Sequence, residues 1–106
     1  VDNFNIIYKI LKQLEKAMDY DEFDMDFVSA EHLKISENRW VRIWEILVKE
    51  GYVDGVSVKY GAKGDIVLSV SNPRITLKGI EYLHENSFMK KASNIAKGVI
   101  DVIPKG

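Results

Sequence analysis

Cysteine is absent from the 106 residues, which excludes a disulfide framework, a thiolate metal site and a cysteine nucleophile, and fits a cytoplasmic setting. Proline is scarce: Pro73 and Pro104 are the only two, and each is expected to mark the end of an element. No apolar run exceeds three residues, as in Ile46 to Val48, against the roughly 18 that a membrane helix requires. Nor does any stretch read as a signal peptide. Neither sign of charge prevails, because fifteen Lys and Arg against sixteen Asp and Glu leave a net charge of -1. No global field therefore selects nucleic acid, anionic lipid or a basic partner, and every charge argument is local. What is present is ordinary for a folded chain: 46% hydrophobic and 29% charged residues exclude disorder and low-complexity fibres. The length makes one domain, burying roughly two thirds of its unfolded surface.

Between Asp2 and Tyr20, Phe4, Ile7, Tyr8, Leu11, Leu14 and Met18 recur at spacings of three and four, which predicts an amphipathic helix capped by Asp2 or Asn3. Ile6, Ile10 and Ala17 widen its stripe on one flank. Ser29 is suited to cap a short helix through Leu33, and Ser36 to cap a third helix reaching Glu50. On that third helix Trp40, Ile43, Trp44, Leu47 and Val48 face the core, and Gly51 stands where a left-handed C-terminal residue is expected. Alternation over Tyr52 to Tyr60 and Ile66 to Val70, around Gly61-Ala62-Lys63-Gly64-Asp65, predicts a β-hairpin. Gly61 and Gly64 are expected to supply positive φ in its turn. Ser71-Asn72-Pro73 is expected to end the second strand, and Thr76 to cap a helix holding Leu77, Ile80, Tyr82 and Leu83. Asn86-Ser87 then breaks or recaps the chain before a last amphipathic segment.

Five carboxylates crowd into Asp19 to Asp26, alternating with Tyr20, Phe23 and Met25. Self-repulsion disfavours a helix there, and the spacing lacks the glycine and terminal glutamate of a calcium loop, so a solvated acidic loop anchored by its aromatic residues is expected and no metal site. Nothing suggests a catalyst or a cofactor: His32 and His84 lie on different helices without a nucleophile motif, and the hairpin glycines match no phosphate-binding loop.

Three helices, a hairpin and a further helix make the order of a winged helix-turn-helix, a mainly α, α+β fold with a two-stranded wing followed by one or two C-terminal helices. The stretches Leu47-Val48-Lys49-Glu50-Gly51-Tyr52-Val53 and Ile75-Thr76-Leu77-Lys78-Gly79-Ile80-Glu81-Tyr82-Leu83 are similar to the signatures that winged-helix proteins carry before and after the wing. Together with Glu85-Asn86-Ser87 and the closing amphipathic segment, they make the chain resemble the YjcQ-like family of small bacterial and bacteriophage winged-helix proteins, from the first helix to about Lys91. The resemblance implies a DNA-binding type of fold without an assigned activity, and offers no catalytic motif. The acidic stretch from Asp19 departs from the family pattern, and its charge opposes close approach of that edge to phosphates.

The outer face of the third helix is expected to meet the major groove through Asn38, Arg39 and Arg42, with Lys49 on the same stripe as Glu45. Lys59 and Lys63 flank the hairpin tip and suit backbone phosphate. An ordinary solvated face, with Arg42 paired to Glu45 or Asn38, is the alternative. Trp40 and Trp44 are read as packing rather than as stacking platforms. These features predict a winged-helix protein that binds double-stranded DNA as a small regulator or accessory factor; the alternative is a winged-helix protein-interaction module. A continuous basic patch from helix to wing favours DNA, whereas Glu37, Glu45, Asp54 and Asp65 breaking it favour protein. Residues 1–86 form the expected winged-helix domain and 87–106 a C-terminal helix. On the latter, Phe88, Ala92, Ile95, Ala96, Val99 and Ile103 line a shallow face suited to packing on the domain or to a homodimer rather than to a membrane.

Overall fold

The computed structural model describes residues 2–96, with side chains as far as Ser87. Its elements are α1 (Asn3–Lys16), α2 (Ala30–Leu33), α3 (Glu37–Lys49), β1 (Val53–Tyr60), β2 (Ile66–Ile75) and α4 (Leu77–Ala96), with 3-10 turns at Ala17–Asp19 and Met25–Val28. Three helices, an antiparallel hairpin and a closing helix are the winged-helix layout.

Asp2 caps α1, its carboxylate accepting from the Phe4 amide at 3.0 Å. The buried face of α1 is Ile6, Ile7, Ile10, Leu11 and Leu14, so Ile6 and Ile10 lie in the core rather than on its flank. Phe4 and Met18 are exposed instead. Phe4 sits at the open start of the helix, and Met18 lies in the tighter 3-10 turn, whose winding carries it off the 3.6-residue stripe. The acidic segment is more ordered than a bare loop. Asp24 caps the turn Met25–Val28 by accepting from the Asp26 amide at 2.9 Å.

At four residues α2 is far shorter than the roughly 12–15 needed by an isolated helix. Burial of Ala30 and Leu33 and the Ser29 cap hold it. Lys34 then turns the chain with a left-handed φ of 59°, and Ser36 caps α3 by accepting from the Arg39 amide at 3.1 Å. Trp44 is fully buried and Trp40 half-buried, the latter donating from Nε1 to the Val28 carbonyl at 2.7 Å and so tying α3 to the chain ahead of α2. Among the described residues the Trp44 indole N–H has no partner. The core gathers Ile10, Leu11, Leu14, Val28, Trp44 and Leu47 with Val53 and Leu83, so every helix and the hairpin base contribute to it. Each such side chain is worth about 1.5–3 kcal/mol when buried.

The end of α3 and the start of α4 meet at the hairpin base. Thr76 donates from Oγ1 to the Gly51 carbonyl at 2.6 Å and accepts from the Gly79 amide at 3.1 Å, while its own amide donates to Tyr52 at 3.1 Å. Gly51 has a φ of +76°, as its place after α3 predicts. A Cβ at Gly79 would run into the Tyr52 carbonyl and the Ile75 side chain.

Four corrections concern the hairpin and α4. The second strand does not end at Ser71-Asn72-Pro73 but continues to Ile75, pairing Asp54 with Arg74 and Val53 with Ile75. The chain accommodates Pro73 in a bulge opposite Gly55, where the ladder makes no demand for its missing N–H. In the turn only Gly64 has positive φ, at +82°; Gly61 does not. Further on, α4 runs unbroken through Asn86 and Ser87. Asn86 donates from Nδ2 to the Tyr82 carbonyl at 2.9 Å, bonding back along the helix instead of interrupting it. Leu77, expected in the apolar stripe, is exposed on its first turn.

Gly55 combines a φ of +79° with a backbone so close that a Cβ would overlap the Asn72 carbonyl, whereas Gly64 has open space around it. Gly55→Ala is therefore expected to lose about 1–3 kcal/mol from the positive φ and more from the displaced carbonyl, while Gly64→Ala carries the φ strain alone. Urea unfolding checks this: the Gly55 variant must show the lower midpoint, and equal midpoints would contradict a tight bulge.

Candidate nucleic-acid interface

The outer face of α3 is left uncovered by the elements packed behind it. Asn38, Arg42 and Lys49 are all exposed along it, as the 100° spacing predicts. Glu45 belongs to the same stripe by sequence but is only 8% exposed. Its carboxylate is turned to the flank facing the hairpin, where the Tyr60 hydroxyl donates to Oε2 at 2.5 Å. Arg42 reaches Oε1 through Nε at 3.1 Å, and Lys49 approaches Oε2 at 3.6 Å. Lys49 also lies 5.6 Å from the centre of the Tyr60 ring, within cation–π range.

This four-residue cluster settles the local electrostatics. The Tyr60 hydrogen bond, then Lys49 and Arg42, hold the Glu45 carboxyl below the usual glutamate range, although its burial pushes the other way. Lys49 is raised in turn, first by the Tyr60 oxygen and then by Glu45. Two cations thus share one carboxylate, yet their side chains remain 68% and 63% exposed. The Arg42 contact uses the inner nitrogen of the guanidinium, leaving the outer pair at the solvent end.

The other predicted cations disperse. Arg39 donates from a terminal nitrogen to Asn3 Oδ1 at 2.6 Å, bracing α3 against the start of α1. Lys59 pairs across the ladder with Val67 and, by strand alternation, points to the opposite face from Tyr60, away from α3. Lys63 is exposed in the turn. Among the acidic residues, Asp54 pairs with Arg74 across the hairpin at 3.4 Å, and Glu37 and Asp65 are exposed. The basic patch from helix to wing is therefore interrupted at Glu45, and Arg42 with its Glu45 partner matches the solvated-face alternative as well. Of the dimer face, Val99 and Ile103 lie outside the described residues; Phe88, Ala92, Ile95 and Ala96 lie on the α4 backbone, with their side chains outside the description.

A model of the family described as YjcQ protein matches residues 8–102. The chain belongs to the YjcQ family. No curated protein and no solved structure matches it. In this YjcQ-family chain the two signatures that flank the wing are in contact: Gly51 and Tyr52 of the first meet Thr76 and Gly79 of the second, and the Tyr52 and Tyr82 rings lie 5.0 Å apart. Those motifs therefore orient the hairpin beside α3 and say nothing of what α3 touches. Tyr60, with the bond that turns Glu45 toward the hairpin, is what sequence reasoning missed at this site. The available signal was parity: Tyr60 falls in step with Val56 and Val58, hence on the inner side of the hairpin. No helix of the described residues is long and apolar enough to cross a membrane, and no group of metal-ligating side chains gathers among them.

Tyr60→Phe removes the largest influence lowering the Glu45 pKa, which is expected to move up toward the ordinary value of about 4.3. Because the folded value lies below the unfolded one, Glu45 contributes stability above the unfolded value, and that contribution is lost as pH falls through the folded value. Carboxyl NMR titration of Glu45 in both proteins checks the shift, and an unchanged titration would show that the hydroxyl does not hold the carboxylate.

Proposed function

We propose that this YjcQ-family chain binds duplex DNA as a small regulator or accessory factor, without a catalytic step, laying the outer face of α3 in the major groove and its hairpin tip on the backbone. The observation that carries the reading is the uncovered face of α3, with Asn38 and Arg42 one turn apart, beside a hairpin held to the same helix by the Tyr60–Glu45 bond. Glu45 restrains Arg42 through its inner nitrogen, and the outer nitrogens suit bidentate contact with a guanine edge or a phosphate. Lys49 and Lys63 add backbone contacts in this reading. Arg39, bonded to Asn3, and Lys59, on the far strand face, add none.

The second reading, a winged helix that binds protein alone, is favoured by the same cluster, since Glu45 offsets much of the charge that Arg42 and Lys49 would offer to phosphates. Fluorescence anisotropy with a labelled random duplex separates the two. Three cations neutralising phosphates predict that affinity falls about 40-fold between about 50 and 200 mM salt. Arg42→Ala should flatten the logarithmic salt slope by about 0.9, and Lys59→Ala should leave it unchanged. No association at the lower salt would remove the DNA reading and leave the protein module.

A further inference from the structure

Beside α1 lies a groove of about 500 Å³ that shares no residue with the exposed face of α3. Its apolar lining comes from Ala17, Tyr20, Phe23 and Phe27, and Tyr20 and Phe27 are large rings left exposed to water. Asp19, Glu22 and Asp24 stand along it with Lys16 as the only cation in the lining, and Asp21 and Asp26 lie exposed on the same segment. The backbone carrying these carboxylates is held in place by the Asp24 cap on one side and by the Ser29 hydroxyl donating to the Asp26 carbonyl at 3.1 Å on the other. At Gln13 and Phe27 the groove borders a separate depression of about 290 Å³ whose lining holds Lys9 and Lys12, so the acidic groove ends there. The groove is too open for a small ion.

The geometry points to a docking trough for a cationic peptide segment of a partner protein, one that seats a large apolar side chain against Phe27 and Tyr20 and lays Lys or Arg among Asp19, Glu22 and Asp24. Charge complementarity selects this occupant. Anionic lipid and nucleic acid are repelled by the five carboxylates between Asp19 and Asp26, whereas an arginine gains both a carboxylate and an aromatic face. A rim of carboxylates around an apolar floor also repeats the usual division of a protein interface into a desolvated centre and a polar edge.

The test is an amide NMR titration of the full isotope-labelled chain with a synthetic peptide of about twelve residues built from Lys, Arg, Leu and Phe, beside an isomer carrying Glu in place of Lys and Arg. Saturable shifts are expected over Gln13 to Phe27 with the cationic peptide and none with the acidic one. The exposed pair Tyr20→Ser and Phe27→Ser should weaken binding at least about tenfold with the remaining spectrum preserved. Asp54→Asn with Asp65→Asn, which removes carboxylates outside the groove, should leave it unchanged. Shifts spread over every carboxylate, equal response to the acidic isomer, indifference to the ring substitutions or no response at all would each overturn the proposal. So would concentration-dependent shifts over the same residues without peptide, which would put a second copy in the trough.

Discussion

Thr76 holds together the three directions on which this molecule depends. By donating to Gly51 and accepting from Gly79 its hydroxyl joins the end of α3 to the first turn of α4, and the amide of the same residue, donating to the Tyr52 carbonyl, adds the root of the hairpin. Each such bond is worth only about 0.5–1.5 kcal/mol net. Their importance is geometric. The left-handed turn at Gly51 and the missing side chain at Gly79 allow the backbones to approach, and the bond then sets the angle at which the wing leaves the helix. The core places α1 behind this joint, with Trp44 and Leu47 of α3 in one cluster with Leu11 and Leu14.

What the joint sets at the base, Tyr60 and Glu45 set toward the tip. A half-exposed phenol donating to a nearly buried carboxylate couples the hairpin to α3 some distance from Gly51, so the two elements present one surface. That rigidity comes at an electrostatic cost. The carboxylate that receives the phenol also draws Arg42 and Lys49, which are the two strongest candidates on the helix for contact with phosphate. If the proposed DNA reading holds, such a surface selects by the placement of a few donors rather than by bulk charge, in keeping with a net charge of -1.

Away from that surface, the acidic segment is shaped by competing demands. Its carboxylates repel one another, yet Val28 is drawn fully into the core and Trp40 binds its carbonyl, so the chain must cross between α1 and α2 without a long helix. The short 3-10 turn Met25–Val28 meets that demand, capped by Asp24 at its start and closed by Ser29 at its end. One consequence is that Tyr20 and Phe27 remain outside the core, beside the carboxylates.

Much of the fold was legible in local pattern. Caps at Ser29, Ser36 and Thr76, the left-handed Gly51, the alternation of the hairpin and the burial of Trp44 all follow from short-range rules, because each depends on a residue and neighbours within a few positions. The breaks wrongly expected at Pro73 and Asn86 show the limit of such rules. Pro73 stays within the strand because Gly55, eighteen positions earlier, makes room for a bulge, and Asn86 finds a carbonyl on its own helix. The site was less legible than the fold. Sequence spacing put Glu45, Arg42 and Lys49 on one stripe, but it could not bring Tyr60 to that carboxylate, turn Arg39 toward Asn3 or set Lys59 on the far side of the wing. The sequence by itself determined which stretches become helix, turn and strand and where they are capped, since those are contests between local hydrogen bonds and local apolar spacing. Only the tertiary structure decided which charges remain available, because a charge is neutralised by whatever the fold carries within a few ångströms of it, and that neighbour is set by packing rather than by position in the chain.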